Sequence, residues 1–169
     1  MIDKNSLVLG FDLDNVLRTL SLPTIHICEI IKDYSPFEVD SLSATRPLLN
    51  PMDLALPEDQ LYVLTRCYTD VDIRRKQEWL NHYYGNRIEM FTVPKCTENW
   101  GTEYYEQVGK AKYDIIKELE SDMYFDDDPG LIRVMRRLAK KDNFHCKFIK
   151  YGCWIEQYTP KEDINKNGN

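Results

Sequence analysis

Five short apolar runs constrain the fold of this chain more than any other feature of its sequence. They lie at residues 7–11, 61–64, 88–93, 123–125 and 146–149. The first run, Leu-Val-Leu-Gly-Phe, has no polar alternation and is typical of a strand buried on both faces. Because such strands pair in parallel and need helices on both sides, the pattern predicts an α/β fold. We expect a three-layer sandwich around a mostly parallel, Rossmann-like sheet.

Three helical patterns lie between the later runs. The first opens at Asp70, the predicted N-cap, and ends at Gly85. Its apolar stripe consists of Ile73, Leu80 and Tyr84. The second pattern is carried by the apolar residues of 115–119. The third has Asp128 as its N-cap and Pro129 at its first helical position, where these residue types favour the start of a helix.

The length of 169 residues predicts a single domain. We assign this domain to residues 1–158, with a short insert at about 18–58 and a polar tail at 159–169. An insert of about 40 residues after the first strand leaves room for a small cap over the sheet or for none. The segment 94–107 breaks the alternation of strands and helices and is predicted as a loop. Both irregular segments can reach the carboxyl ends of the strands, where open parallel sheets bind their ligands.

Composition excludes several classes of function. Acidic residues outnumber basic ones, 28 to 22, and the net charge of −6 argues against a protein that coats nucleic acid with a basic surface. No apolar stretch approaches the roughly 18 residues that cross a bilayer, and the first residues show no signal-peptide pattern. The sequence thus predicts a cytoplasmic protein with no membrane partner. Its five cysteines contain no Cys-x-x-Cys pair and are expected to be reduced thiols.

Acidic residues follow two of the predicted strands at the point where each strand ends. Asp12 and Asp14 come directly after the first strand, and three consecutive aspartates, 126–128, come after the fourth. If both strands are central and parallel, these carboxylates converge at one edge of the sheet. Clustered carboxylates repel one another and call for a cation, and oxygen ligands with room for water favour Mg²⁺. Either cluster alone also suits a turn or a helix cap, but the two together favour a metal site.

The order of these motifs resembles the haloacid dehalogenase-like (HAD) phosphohydrolase superfamily over most of the chain. In that family the first strand ends in Asp-x-Asp, here Asp-Leu-Asp at 12–14, and a second strand ends in Thr or Ser, here Thr65. A lysine opens a later helix, and the last strand ends in paired acids, here Asp126 and Asp127. Asn15 replaces the family's usual glycine, and asparagine tolerates the left-handed backbone that glycine adopts. The resemblance implies a HAD-like fold.

The resemblance also implies a role for each of these residues. Asp12 would attack phosphorus and form an aspartyl-phosphate, which splits one hard displacement into two easier ones. Asp14 would protonate the leaving oxygen and later deprotonate the attacking water, and its main-chain carbonyl would bind the metal. Asp126 would bind Mg²⁺ directly, together with Asp12, and Asp127 would orient ligands or waters around the ion. The Thr65 hydroxyl and a lysine would hold the phosphoryl oxygens.

Two lysines are candidates for this phosphate-binding ammonium. Lys112 precedes the apolar residues of 115–119 at helical spacing, which predicts a position in the first turn of that helix, pointing back toward the site. Lys110 lies two residues earlier and is still within reach for a long side chain. We favour Lys112 and keep Lys110 as the alternative.

Two further resemblances point to nucleotides as the substrate class. Residues 65–80 resemble the region around the second motif, the Thr or Ser that ends a strand, in 5′-nucleotidases of deoxynucleotides. Residues 125–137 resemble the end of the phosphatase domain of polynucleotide kinase-phosphatases. Three aromatic residues before the lysine, Trp100, Tyr104 and Tyr105, could stack on a base, although aromatics in a loop more often pack on the local core. The substrate therefore stays open between nucleotides and polynucleotide ends.

The sequence as a whole predicts a Mg²⁺-dependent phosphomonoester hydrolase that acts through an aspartyl-phosphate on a small phosphorylated substrate, with a nucleotide favoured. One alternative is an end-processing enzyme similar to a polynucleotide 3′-phosphatase. Another is a HAD-like module that binds without turnover, but such a module would be expected to lack some of the acids named above, and all are present. No protein partner is inferred.

Overall fold

A computed structural model describes residues 6–18, 47–67, 69–93 and 102–152 of the protein. Its strands are β1 (Val8–Phe11), β2 (Gln60–Arg66), β3 (Ile88–Val93), β4 (Met123–Asp126) and β5 (Lys147–Lys150). They form one parallel sheet with the spatial order β3-β2-β1-β4-β5. The first strand along the chain therefore lies at the centre of the sheet, between β2 and β4. This arrangement confirms the predicted α/β class.

All five predicted runs form strands, and every bound but one agrees with the prediction to within a single residue. The main difference is in β2, which continues beyond its apolar run to Arg66. It does so because β2 stays paired with β3 to the end, with Thr65 opposite Thr92 and Arg66 opposite Val93. Thr65 is consequently held by the sheet rather than by a loop.

Helix α1 (Asp70–Tyr84) follows β2 and differs from its prediction at its start. Its N-cap is Thr69, whose Oγ1 accepts a hydrogen bond from the backbone N–H of Asp72 at 3.2 Å. The prediction of Asp70 as N-cap was wrong by one residue, whereas Gly85 does end the helix. Ile73 is 36% exposed, contrary to the predicted stripe, because Asp72 and Lys76 are the buried residues of the first turns.

Helix α2 (Thr102–Glu118) is longer than its apolar pattern predicted. Residues 102–107, expected in a loop, are helical, and residues 94–101 lie outside the described part of the chain. Lys112 therefore lies about three turns into the helix and not in its first turn, where it was predicted.

Helix α3 (Pro129–Asp142) begins as predicted. The Asp128 side chain accepts hydrogen bonds from the backbone N–H groups of Gly130 and Leu131, and Pro129 occupies the first helical position. Asn143 ends the helix with a left-handed backbone. The third of the three consecutive aspartates is thus used as a helix cap.

The sheet is covered by apolar cores on both faces, because successive strand residues point to opposite sides. Val8 and Tyr124 pack in the core that includes residues of α2 and α3. Leu9 and Phe11 pack on the other face, together with Trp79 of α1. The molecule is therefore a three-layer sandwich, as predicted.

Most of the predicted insert lies outside the described residues. Residues 19–46 of the insert are outside the described part of the chain, and the polar tail at 159–169 is outside it too. The described ends of the insert meet at an antiparallel bridge between Arg18 and Pro47. In the described part of the chain, no helix combines the length and the apolar character needed to cross a membrane. The domain bounds and the size of a cap stay predictions.

Close packing of α2 on α3 depends on Gly109. A Cβ atom added at Gly109 would lie 2.8 Å from Val134 Cγ1 and 2.9 Å from Val134 Cβ, both on α3. Because overpacking a core typically costs ~1–3 kcal/mol, we expect Gly109→Ala to lower the free energy of unfolding despite its better helix propensity. In a Val134→Ala background the same change should cost less, because the contact with Cγ1 is removed while the contact with Cβ remains. A double-mutant cycle by urea unfolding measures this, and equal costs in both backgrounds would contradict the packing argument.

Candidate active site

Alternation along the strands decides which helix layer each polar side chain meets at the carboxyl edge of the sheet. Phe11 points toward the layer of α1, so the next residue, Asp12, points toward α2. Asp126 ends β4 on the α2 side, whereas Thr65 near the end of β2 lies on the α1 side. A buried lysine from each helix layer meets these residues.

Lys112 of α2 bridges the acids that follow β1 and end β4. Its Nζ donates to Asp12 Oδ1 and to Asp126 Oδ2, both at 2.7 Å. Burial alone would lower the pKa of this ammonium, but Asp12 and Asp126 outweigh burial and hold the pKa well above its ordinary value. Helical side chains lean toward the N-terminus of their helix, so a long lysine can reach this edge from the third turn. Lys112 is a buried, permanent positive charge between two carboxylates.

Lys110, the alternative lysine, lies on the solvent face of α2. Its side chain is 65% exposed, and its Nζ contacts Asp114 Oδ2 one turn further along the helix, at 2.5 Å. The structure thus brings Lys112 to the acids and keeps Lys110 away from them.

Three carboxylates converge beside Lys112. Asp12, Asp126 and Asp127 each present an oxygen within 4.8 Å of the other two. Asp126 Oδ1 accepts a hydrogen bond from the backbone N–H of Asp128 at 2.9 Å, which fixes the carboxylate after the strand. An all-oxygen donor set of this kind suits a hard cation such as Mg²⁺, which keeps several water ligands of its own. The residues present therefore fit the predicted ion.

The carboxyl groups near this cluster hold protons more tightly than ordinary aspartates. Burial raises the pKa of Asp12 to about 7, with a further contribution from Asp126 and against the lowering effect of Lys112. Burial, with Asp12 and Asp126, raises the pKa of Asp127 to about 8. Burial and the Asp126 charge raise the pKa of Asp128 to about 6. One ammonium does not neutralise this much negative charge, so the cluster has a deficit of positive charge that a divalent cation would fill.

Asn15 supports the cluster from the turn after β1. Its backbone is left-handed, with φ 63°, which confirms the left-handed backbone expected at this position. Its side chain adds a hydrogen bond that glycine could not make, from Nδ2 to Asp127 Oδ2 at 3.2 Å. Gly152 packs closely here, and a Cβ atom at Gly152 would lie 2.2 Å from the Asn15 carbonyl oxygen. The turn therefore links β1 to the residues that follow β4.

Asp14 turns to the other side of the edge, toward the layer of α1. Its Oδ1 accepts from Arg18 Nε at 2.5 Å, and its Oδ2 accepts from Lys76 Nζ at 3.2 Å. Burial would raise the pKa of this carboxyl, but Arg18 and Lys76 outweigh burial and hold the pKa below its ordinary range. Asp14 is not among the three converging carboxylates, and its predicted metal contact through the main-chain carbonyl stays a prediction.

Thr65 and Lys76 meet on the same side of the edge. Lys76 of α1 is 3% exposed and donates to Thr65 Oγ1 at 3.1 Å. Its Nζ also donates to the carbonyl oxygen of Arg66 at 2.7 Å and lies 3.6 Å from Asp72 Oδ2. Thr65 is therefore connected to Asp14 through a single shared ammonium.

Sequence reasoning missed Arg18 and Lys76 as residues of the site. Two signals pointed to them: Arg18 follows Asp14 by four residues, and Lys76 follows Asp72 by four, a spacing that places opposite charges in contact on a helical turn. Neither signal separates a buried pair from the many exposed pairs with the same spacing. Only the packing of α1 on the sheet shows that Lys76 points inward.

The aromatic residues proposed to stack on a base are placed differently from the prediction. Tyr104 and Tyr105 belong to α2 and not to a loop, and Trp100 lies outside the described residues. Tyr104 is 6% exposed, and the guanidinium of Arg66 lies over its ring at 5.0 Å. Tyr105 packs edge-on against Tyr104, with the ring centroids 5.4 Å apart. The structure therefore supports the packing role for Tyr104.

Comparison with known proteins adds little to this picture. No protein-family model matches the sequence. No curated protein matches it either. Among solved structures, the chain is similar to the HAD domain of effector protein Lem4 from Legionella pneumophila, with a TM-score of 0.47 and 12% identity, covering 87% of this chain and 86% of that chain. The inactive mutant of that domain gives the same values. Function therefore rests on the residues of the site itself.

The raised pKa values predict how stability depends on pH and on metal. Groups whose pKa is raised on folding stabilise the fold at low pH, and this contribution is lost as pH rises through their folded pKa values. Without metal, the melting temperature should therefore fall between about pH 5 and about pH 8, the range in which Asp12, Asp127 and Asp128 ionise. Because Mg²⁺ competes with these protons, it should raise the melting temperature more at the higher pH.

Thermal unfolding in EDTA and in excess Mg²⁺, measured at both ends of that range, tests this prediction. Asp127→Asn is the matched variant, and it should reduce both the pH dependence and the response to Mg²⁺. A melting temperature that rises with pH in EDTA, or is indifferent to Mg²⁺ throughout, would contradict it.

Proposed function

We propose that this protein is a Mg²⁺-dependent phosphomonoester hydrolase of the HAD type that acts through an aspartyl-phosphate on Asp12. The observation that carries the proposal is the convergence of Asp12, Asp126 and Asp127 around the ammonium of Lys112. A binding module has no need of a nucleophilic carboxylate, a cation and a metal-ligand set at one point. Phosphoryl transfer through an aspartyl-phosphate uses all three there.

Asp12 is the nucleophile in the first half of the reaction. One of its carboxylate oxygens forms a bond to phosphorus, and the bond between phosphorus and the ester oxygen breaks, with the electron pair leaving on that oxygen. In the second half, water attacks the aspartyl-phosphate, inorganic phosphate leaves, and the Asp12 carboxylate is regenerated. The contact with Lys112 favours the ionised form of Asp12 that the first attack needs.

Asp14 handles the protons of both half-reactions. In the first half-reaction, protonated Asp14 gives its proton to the leaving alkoxide, and in the second the resulting carboxylate takes a proton from the attacking water, which restores the starting form. The contacts with Arg18 and Lys76 favour the carboxylate form that the second half-reaction needs. A phenolate leaves without needing a proton from Asp14, so an aryl phosphate is the most sensitive first substrate.

Thr65 and Lys112 are the proposed phosphoryl-binding groups, one on each side of the edge. Their hydroxyl and ammonium donors stabilise oxygens whose charge redistributes in a loose transition state. Asp12, Asp126 and Asp127 would hold Mg²⁺, which when bound offsets negative charge on the phosphoryl group. Asn15, through Asp127, keeps this set of ligands oriented.

A nucleotide is the proposed substrate, on the strength of the sequence resemblance of residues 65–80 to 5′-nucleotidases. The alternative, a polynucleotide 3′-end, rests on the resemblance of residues 125–137. A panel of 5′-nucleotides, 3′-nucleotides and 3′-phosphorylated oligonucleotides separates them, because only an end-processing enzyme prefers the oligonucleotide over the matching mononucleotide.

Activity on an aryl phosphate tests the reaction itself. We expect turnover of p-nitrophenyl phosphate with Mg²⁺ and none in EDTA. Asp12→Asn should lower the rate by orders of magnitude, because the covalent route is lost, while the variant keeps the fold. Equal turnover with and without divalent metal would refute the metal assignment. An Asp12→Asn variant with near wild-type turnover would refute the aspartyl-phosphate.

The two lysines of α2 give a matched pair of variants. Lys112→Ala removes a buried ammonium that faces the phosphoryl group, so we expect the rate to fall by about 10²–10³, as for the loss of one preorganised donor. Lys110→Ala removes an exposed charge on the same helix and should change the rate little. Circular dichroism of both variants controls for folding. A severe loss in Lys110→Ala with a normal Lys112→Ala would reverse the assignment.

A further inference from the structure

Lys76 is a second buried ammonium at the carboxyl edge of the sheet, and the reaction described above uses only its contact with Asp14. It lies on α1, the layer opposite to Lys112, and it is 3% exposed. Burying an ammonium is costly unless its hydrogen bonds are satisfied. Its partners therefore indicate what it does.

All three N–H donors of Lys76 have an acceptor. Nζ donates to Arg66 O at 2.7 Å, to Thr65 Oγ1 at 3.1 Å and to Asp14 Oδ2 at 3.2 Å. An ammonium has three protons to donate and no lone pair. A hydrogen bond from Lys76 to a substrate would therefore have to displace one of these partners.

The contact with Thr65 has a directional consequence. Because Lys76 can only donate, Thr65 Oγ1 is the acceptor in that hydrogen bond. The hydroxyl proton of Thr65 must then be donated to some other group. A phosphoryl oxygen bound beside Asp12 is the acceptor that the proposed reaction supplies.

The contact of Lys76 with Asp14 limits how the Asp14 carboxylate can rotate. Asp14 Oδ2 is held by Lys76 from α1, and Oδ1 is held by Arg18 from the turn after β1. With both oxygens engaged, the carboxylate cannot rotate freely. Its position relative to Thr65 is then set by the ammonium that the two residues share.

We infer that Lys76 is a positioning residue that ties the Thr65 hydroxyl to the Asp14 carboxylate, so that the phosphoryl-binding donor and the proton-transfer group keep one relative geometry. The inference rests on the proposed function. It assigns α1 a part in the reaction, whereas the metal ligands and Lys112 all come from the other side of the edge.

Steady-state kinetics of Lys76→Met on p-nitrophenyl phosphate with Mg²⁺ tests this role. Because small misplacements of reacting groups are costly, we expect kcat/KM to fall by about 10²-fold. Arg74→Met is the matched control, since it removes an exposed cation from the same helix, and it should leave kcat/KM within about twofold of the wild-type value.

A double-mutant cycle with Thr65→Val separates positioning from a general structural effect. If Lys76 acts through the Thr65 hydroxyl, Lys76→Met should cost far less in the Thr65→Val background than in the wild type. A structural defect would cost the same in both. Additive effects, or a fully active Lys76→Met, would overturn the role of Lys76 while leaving the phosphatase activity intact. A wild-type protein without Mg²⁺-dependent activity would refute the proposed function and this role with it.

A crystal structure of the wild type with Mg²⁺ and beryllium fluoride decides the matter if Lys76→Met fails to fold. Thr65 Oγ1 in contact with both Lys76 Nζ and a fluoride on Asp12 would support positioning. A direct contact between Lys76 Nζ and fluoride would overturn it, because Lys76 would then be a phosphate-binding residue.

Discussion

The contact of the Lys112 ammonium with Asp12 and Asp126 is the interaction on which the rest of the site depends. Three carboxylates within 4.8 Å of one another, mostly buried, would repel strongly without a cation among them. Lys112 supplies that charge from within the chain, at 2.7 Å from each of two acids. It leaves the cluster with a net negative charge, which is the condition for holding a metal ion.

The parallel sheet creates this contact and also divides the site in two. Since β1 is central and pairs with both β2 and β4, the residues after three strands meet at one edge. Alternation then sends Asp12 toward α2 and Thr65 toward α1. One lysine from each layer contacts the acids on its own side, Lys112 on one and Lys76 on the other. The two halves are joined through β1 and its turn, which carry both Asp12 and Asp14.

The elements with a local sequence signal were predicted correctly. The features that depend on which face of a helix packs against the sheet were not. The five strands and the Asp128 cap follow from apolar runs and from short-range capping chemistry. The first turns of α2 were missed because threonine and two tyrosines form helices weakly. Packing on α3, where Tyr105 lies against Gly130, stabilises them. The inward direction of Lys76 was missed because a charged residue gives no periodic signal of burial.

The order and spacing of residues along the chain predicted the α/β class and the acids at the ends of β1 and β4. The preference for Lys112 over Lys110 rested on a position in the first turn of α2, and that position was wrong. The folded arrangement was needed to show that Lys76 and Arg18 hold Asp14, and that Tyr104 packs inside rather than facing a ligand. These depend on how α1 and α2 are rotated against the sheet, and that rotation is the outcome of packing many side chains at once.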